Sequence, residues 1–235
     1  MAYIYEHIRT QGYDPLHFEE HFSHLEATAI AHFNEPLKIS REELRKAIKE
    51  CLQSERFSPA VMNAVEVKYY PDGVLRREAK ELLYNTFSLR ALHPQSYLCQ
   101  VSGDALLDNT SAKSALIEFQ HATSPTDVGS VAIWASESGE VLAIDGAAVV
   151  AVFDDEVRFS NIGDGVEFNL AFESAAKLKR NIVKAPICVE ELENAKEVIF
   201  INYEGVSALH SYKSTLYMHL IAEKIAESIA EREHQ

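Results

Sequence analysis

Residues 109–119 read "NTSAKSALIEF", and they sit where the chain changes character. The stretch before them, residues 102–111, is small and polar with no sustained periodicity, which suits a linker between two halves. From Ser111 onward "SAKSALIEFQHAT" reads as a helix on which Ala112, Leu116 and Phe119 flank Lys113. The ammonium of that lysine leaves a mostly apolar surface. A lysine desolvated in this way gives up its proton more easily, and the neutral amine attacks carbonyls. The commoner use of the same pattern is a lysine that snorkels from an amphipathic helix. The linker predicts an N-terminal α/β domain over 1–101, a connection over 102–111 and a C-terminal α+β domain over 112–235.

Toward the N-terminus, "YIYEHIRT" alternates aromatic or β-branched residues with polar ones and predicts an opening strand. "QGYDP" is turn chemistry. "FEEHFSHLEATAIAHF" places Phe18, Phe22, Leu25, Ala29 and Phe33 at helical spacing, and Ser40 with Glu43 forms a capping-box pattern before "REELRKAIKECLQ". "MNAVEVKYYPDG" and "NTFSLRAL" read as two strands with a charged connection between them. Toward the C-terminus, "GSVAIWAS", "VLAIDGAAVVAVF" and "DEVRFS" read as consecutive strands, with turns at Ser138–Gly139 and Asp154–Asp155. "FNLAFESAAKLKRN" predicts a helix, "EELENAKEVIFINY" a short helix entering a strand, and "YKSTLYMHLIAEKIAESIAERE" a long terminal helix. Strands and helices mix without a regular βαβ rhythm, so the fold class is α+β in two halves.

The 235 residues suffice for two modest cores, and 47% hydrophobic with 25% charged residues is an ordinary globular composition. A net charge of −14 argues against a nucleic-acid partner, which needs a surplus of Lys and Arg. Cys51, Cys99 and Cys188 are odd in number, widely spaced and without a CxxC pair, unlike a disulfide framework or a zinc site. "MAYIYEHIRT" lacks the basic and apolar regions of a signal peptide, and no segment reaches the roughly 18 apolar residues of a membrane helix. The expectation is a cytoplasmic protein without a membrane partner.

GxSxG, P-loop and GxGxxG patterns are all absent. His17, His21 and His24 are spaced four and three apart, which puts His21 and His24 on one helical face with Glu20 near them. Two such histidines bind zinc in some proteins, but a half-exposed polar face is the commoner outcome, and the sequence nominates no third ligand. No metal site is assigned.

The segments "YEHIRT…FEEHFSHLEATA", "SAKSALIEF…GEVLAIDG…FDDEVRFS" and "EELENAKEVIFINYEGV" together resemble the class IV aminotransferases. These are the fold-type IV pyridoxal-phosphate enzymes, among them branched-chain and D-amino-acid aminotransferases and aminodeoxychorismate lyase. The resemblance runs in the right order over most of the chain, with the segment preceding the "YE" strand shortened. It implies a two-domain fold, a homodimer, pyridoxal 5'-phosphate as cofactor and a small amino-acid-like or amino-deoxychorismate-like substrate.

Under that resemblance Lys113 matches the lysine that forms the Schiff base. Asp145, 32 positions later in "LAIDG", matches the acid that pairs with the pyridine nitrogen, where the family usually carries glutamate. Tyr5 matches an aromatic position near the cofactor. The phosphate-binding arginine of the first helix falls on His24, which offers fewer donors and a conditional charge. The phosphate-cradling turn falls on Gly165-Val166-Glu167-Phe168, and the hydroxyl-rich turn after the "EVIF" strand falls on Ile201-Asn202-Tyr203-Glu204. Glu167 and Glu204 oppose a phosphate there, which leaves His24 and Asn202 as its expected side-chain contacts. Arg9, Lys68, Arg76 and Arg77 receive no role. A working aminotransferase or lyase and a scaffold that has lost the cofactor are both compatible with this pattern.

Overall fold

The structure, a computed structural model, describes residues 2–83, 87, 89–93, 95–101, 109–123 and 130–233. Most of the expected linker, 102–108, lies outside the described residues. The chain clusters into two compact units, one of residues 1–86 with 108–114 and one of residues 87–107 with 115–235.

The first unit contains β1 (Ile4–Gln11), β2 (Asp14–Pro15), α1 (Phe18–Phe33), α2 (Arg41–Ser54), β3 (Met62–Tyr69) and β4 (Leu75–Glu81). Its sheet runs β2-β1-β3-β4, antiparallel throughout. Alternation along the strands turns Ile4, Ile8, Val65, Val67 and Tyr69 onto α1 and α2, where Phe18, Phe22, Leu25, Leu44, Ile48 and Leu52 meet them. Each of these fully buried side chains contributes about 1.5–3 kcal/mol. The capping box is formed as its spacing predicts: Glu43 N donates to Ser40 Oγ and Ser40 N donates to Glu43 Oε2.

The charged stretch "LRREAKE", read from sequence as a connection, is the strand β4 instead. Asp72 and Gly73 (φ 87°) make the reversal, with Val74 N donating to Asp72 Oδ1, and β4 then pairs with β3 along its whole length. The ladder is built from main chain, so an edge strand needs few apolar side chains, and in β4 Ala79 is the one that is buried.

The second unit contains β5 (Leu89–His93), β6 (Gln95–Gln100), the greater part of α3 (Ser111–Thr123), β7 (Ser130–Ala135), β8 (Val141–Ile144), β9 (Ala148–Val152), β10 (Glu156–Ser160), α4 (Val166–Ala175) and β11 (Asn181–Ala185). A 3-10 turn at Val189–Asn194 follows, then β12 (Glu197–Asn202), β13 (Gly205–Leu209), β14 (Ser211–Tyr212), β15 (Thr215–Leu216) and α5 (Leu220–Glu233). β5 and β6 belong here because β5 pairs with β13 and β6 with β7.

This unit is layered. A six-stranded sheet, β11-β10-β9-β12-β13-β5, packs one face on α4 and α5 through Val150, Phe159, Ile199, Ala171 and Ile225. Val149, Ala151, Val198 and Phe200 on its other face meet Val131, Ile133 and Ile144 of the three-stranded sheet β6-β7-β8. Trp134 and Ala132 on the far side of that sheet receive Leu116 and Ile117 of α3. Strands buried on both faces are apolar without interruption, which explains "VAIWA" and "AVVAV".

Two helix expectations are shortened. α4 ends at Ala175, and the long terminal helix begins only at Leu220, since residues 211–216 form the small β14–β15 hairpin with Lys213 at φ 51°.

Candidate active site

Lys113 stands in the first turn of α3, half-buried. The residues just before it are tied to the edge of β1: Tyr5 N donates to Asn109 O (2.8 Å), Ser111 N to Tyr3 O (2.8 Å) and Tyr3 N to Ser111 Oγ (3.3 Å). Ile4 and Thr110 form the corresponding bridge, and the first helical bond runs from Ser114 N to Thr110 O. These bonds, two of them main-chain, satisfy backbone groups at the start of β1 and fix the approach to the lysine relative to it. Tyr5 is buried on the face of β1 opposite Ile4 and Ile8, with its ring edge-on to His7 at 5.4 Å.

Glu6 points the other way, toward α1, and is 3% exposed. Its two oxygens take His21 Nδ1 at 2.6 Å and His24 Nδ1 at 2.7 Å. Burial pushes this carboxyl up, but the hydrogen bonds and charge of the two imidazoles outweigh it and hold it at about 2. The expected common face of His21 and His24 is therefore present, and their Nδ1 atoms are engaged by a carboxylate. Glu6 was not among the sequence candidates. Its signal was an acid placed between Ile4 and Ile8 in the alternation of β1.

The unassigned basic residues have structural partners. Lys68 lies 2.7 Å from Glu66, which also meets His7 at 3.1 Å. Burial raises the Glu66 carboxyl, and these two hydrogen-bonding neighbours bring it down to about 2. Arg76 lies over the Tyr70 ring, Arg77 donates to Ala47 O, and Arg9 is 2% exposed.

In the second unit, the candidate positions gather at one end of the six-stranded sheet. β9 begins at Ala148, directly after the turn carrying Asp145, and Ala148 pairs with Ile201, the neighbour of Asn202. β10 ends beside the start of β9 and leads through Gly163 to α4. A Cβ on Gly163 would lie 2.6 Å from Phe168 Cζ and 3.2 Å from Ala148 Cβ, so glycine permits this close approach. Gly165 (φ 114°) is the N-cap of α4 with no side-chain cap and open space about its α-carbon, leaving the first N–H groups of the helix without intrahelical partners. Glu167 in that first turn is 8% exposed. At the β12–β13 reversal Glu204 N donates to Asn202 Oδ1 (2.9 Å) and Tyr203 OH donates to Glu204 Oε1 (3.2 Å).

The strand read through "LAIDGAAVVAVF" is broken at Asp145–Gly146. Both residues have positive φ, 50° and 74°, and Ile144 and Ala147 exchange hydrogen bonds of 3.1 and 2.8 Å across them. Asp-Gly is the favoured pair for such a reversed two-residue turn. Asp145 N donates to Ala132 O at 2.9 Å, which anchors the turn on β7. A Cβ on Gly146 would meet Ile117 Cδ1 at 2.8 Å, so α3 lies directly on this turn.

No family profile matches the sequence, and no curated protein matches it. Solved structures do. A branched-chain aminotransferase from Thermoproteus uzoniensis superposes with a TM-score of 0.78 at 15% identity, over 98% of this chain and 85% of that one. A protein assigned as a 4-amino-4-deoxychorismate lyase from Legionella pneumophila gives 0.77 at 12% identity, over 98% and 91%. The pyridoxal-phosphate-bound form of a hypothetical aminotransferase from Mycobacterium tuberculosis gives 0.70 at 13% identity, over 98% and 89%. From end to end, the chain has the fold of the fold-type IV aminotransferases.

Proposed function

We propose that this protein is a pyridoxal-phosphate-dependent aminotransferase or lyase acting on an amino acid or an amino-deoxychorismate-like substrate. The observation that carries the reading is the placement of Lys113, a half-buried residue at the start of a helix whose approach is fixed to β1 by main-chain bonds, in a chain with this fold. Ile117, one turn further along the same helical face, packs on the turn that carries Asp145.

The residues fit the cofactor. The amine and the Asp145 carboxylate suit its aldehyde and its ring nitrogen, and the uncapped start of α4 suits its phosphate. Glu167 and Glu204 add negative charge at that end, so the hold on phosphate is weak. When bound, pyridoxal phosphate supplies an electron sink for charge developing at the substrate α-carbon.

The remaining work falls to the chain. Lys113 Nζ attaches the cofactor and moves the proton at the substrate α-carbon. Asp145 keeps the ring nitrogen protonated. Tyr5 gives an aromatic wall, and His24, Asn202 and the α4 N-terminus hold the phosphate.

The test is the visible absorption of the purified protein with saturating pyridoxal phosphate. A new band is expected in wild type, absent in Lys113→Ala, present but displaced in Asp145→Asn, and requiring more cofactor in His24→Ala. The same band in wild type and Lys113→Ala refutes the assignment of the lysine.

A further inference from the structure

The sequence holds three Asp-Gly pairs, at 72–73, 145–146 and 164–165. Such a pair can close on itself: the glycine amide nitrogen attacks the aspartyl carboxyl carbon, a five-membered imide forms, and water leaves. Glycine favours the closure because no Cβ obstructs the ring. In a folded chain the outcome depends on where that nitrogen is held.

At two of the pairs the fold ties down the nitrogen or the turn. Gly73 N donates to Tyr70 O at 2.9 Å, and Asp72 Oδ1 takes Val74 N instead. Asp145 and Gly146 form the centre of a turn fastened by the two bonds between Ile144 and Ala147, with Ile117 pressed on Gly146. Asp164–Gly165 differs. Gly165 N donates to Oδ1 of the preceding Asp164 at 2.8 Å, so it already lies against the carboxyl group it would attack. Asp164 is exposed, and nothing lies within 4 Å of a would-be Cβ on Gly165.

We propose that Asp164–Gly165 is a site of self-modification, closing to a succinimide and reopening in part as isoaspartate. In the closing step the bond from Gly165 N to Asp164 Cγ forms and the amide proton passes to water. The C–OH bond of the protonated carboxyl breaks, and the hydroxyl takes up a proton and leaves as water. In the reopening step one water adds to either ring carbonyl. Attack at Cγ restores aspartate. Attack at the main-chain carbonyl carbon of Asp164 breaks its bond to Gly165 N, and the chain then runs through the side chain. Water is the only other reactant.

The position gives the change a consequence that does not depend on any cofactor. Gly165 is the N-cap of α4, and its carbonyl accepts from Asn169 N at 3.1 Å. Isoaspartate lengthens the main chain by one methylene directly before that cap. Gly163, just upstream, is held close to Phe168 and Ala148, so the added length is taken up in the first turn of α4.

The experiment ages the intact protein at about 37 °C and about pH 6, where more of an aspartyl carboxyl is protonated than at neutrality. Peptide mass mapping follows the species lighter by one water, and isoaspartyl methyltransferase labelling reports the reopened product. In folded protein the label at 164 should exceed that at 72 and at 145 by about tenfold or more, and the three should draw level in urea. Equal label at the three sites in folded protein, more at 72 or 145, none at 164, or a preference that persists unchanged in urea overturns the proposal. Asp164→Glu keeps the charge but cannot close a five-membered ring. Amide exchange in the first turn of α4 should quicken roughly fivefold or more in aged wild type and stay unchanged in aged Asp164→Glu. An equal change in both, or none in wild type, overturns the consequence assigned to α4.

Discussion

At the scale of single residues, Glu6 is a carboxylate set into an apolar row, between Ile4 and Ile8 on the face of β1 that meets α1. Its carboxyl lies at about 2 instead of the usual 4.5 because two imidazoles outweigh its burial. A depressed carboxyl contributes stability that is complete above its unfolded value and is lost as pH falls toward its folded one. Acid unfolding followed by circular dichroism should therefore have a component between pH 4.5 and 2 that Glu6→Gln removes. Replacing Glu6 with leucine, which strips both rings of their acceptor, should cost roughly 3–5 kcal/mol at neutral pH in urea unfolding.

Gly146 belongs to the same scale. With φ at 74° and Ile117 2.8 Å from a would-be Cβ, Gly146→Ala combines backbone strain with a clash. A loss of about 2–4 kcal/mol is expected, partly recovered by trimming Ile117 to valine. The Asp-Gly pair was a turn signal open to reading in the sequence, but the apolar run on either side, which is buried on both faces, drew it into one strand. Glu6 escaped for a different reason, since alternation shows which face a residue takes but not which residues of a later helix will meet it.

At the scale of elements, local rules located those helices whose ends are set by neighbouring residues. Ser40 and Glu43 start α2 as the pattern predicts, and α1 covers Phe18–Phe33, the predicted stretch. α5 differs because its start is set from a distance. Glu197, 2% exposed on β12, accepts from Ile221 N at 2.9 Å and from Ala222 N at 3.0 Å, a cap 24 residues removed in sequence. No local pattern announces it, which is why the predicted helix ran back through residues 212–216. Glu197→Ala should cost about 1–2 kcal/mol and speed amide exchange in the first turn of α5, while Glu197→Gln should keep much of the protection. Equal exchange in wild type and Glu197→Ala would remove this account of where α5 begins. β4 was missed for a related reason, as its position comes from main-chain pairing with β3 and its seven side chains are mostly charged.

At the scale of the whole molecule, the α+β character and most elements were legible because period-2 and period-3.6 patterns survive wherever one face of an element meets a core. The division into units was harder to read. β5 and β6 precede the polar stretch in sequence yet pair with β13 and β7, and such partnerships leave no trace in composition. The candidate site shows the same contrast. Lys113 stood out by its neighbours, whereas the gathering of Asp145, Gly165 and Asn202 at one end of a sheet exists only after β9, β10 and β12 have paired. The central claim is that Lys113 is the residue to which pyridoxal phosphate attaches. The most direct measurement is borohydride reduction of the protein saturated with pyridoxal phosphate, followed by peptide mass mapping. The account predicts one pyridoxyl group per chain, on Lys113, and none after Lys113→Ala. Label scattered over surface lysines, equal in wild type and Lys113→Ala, would contradict it.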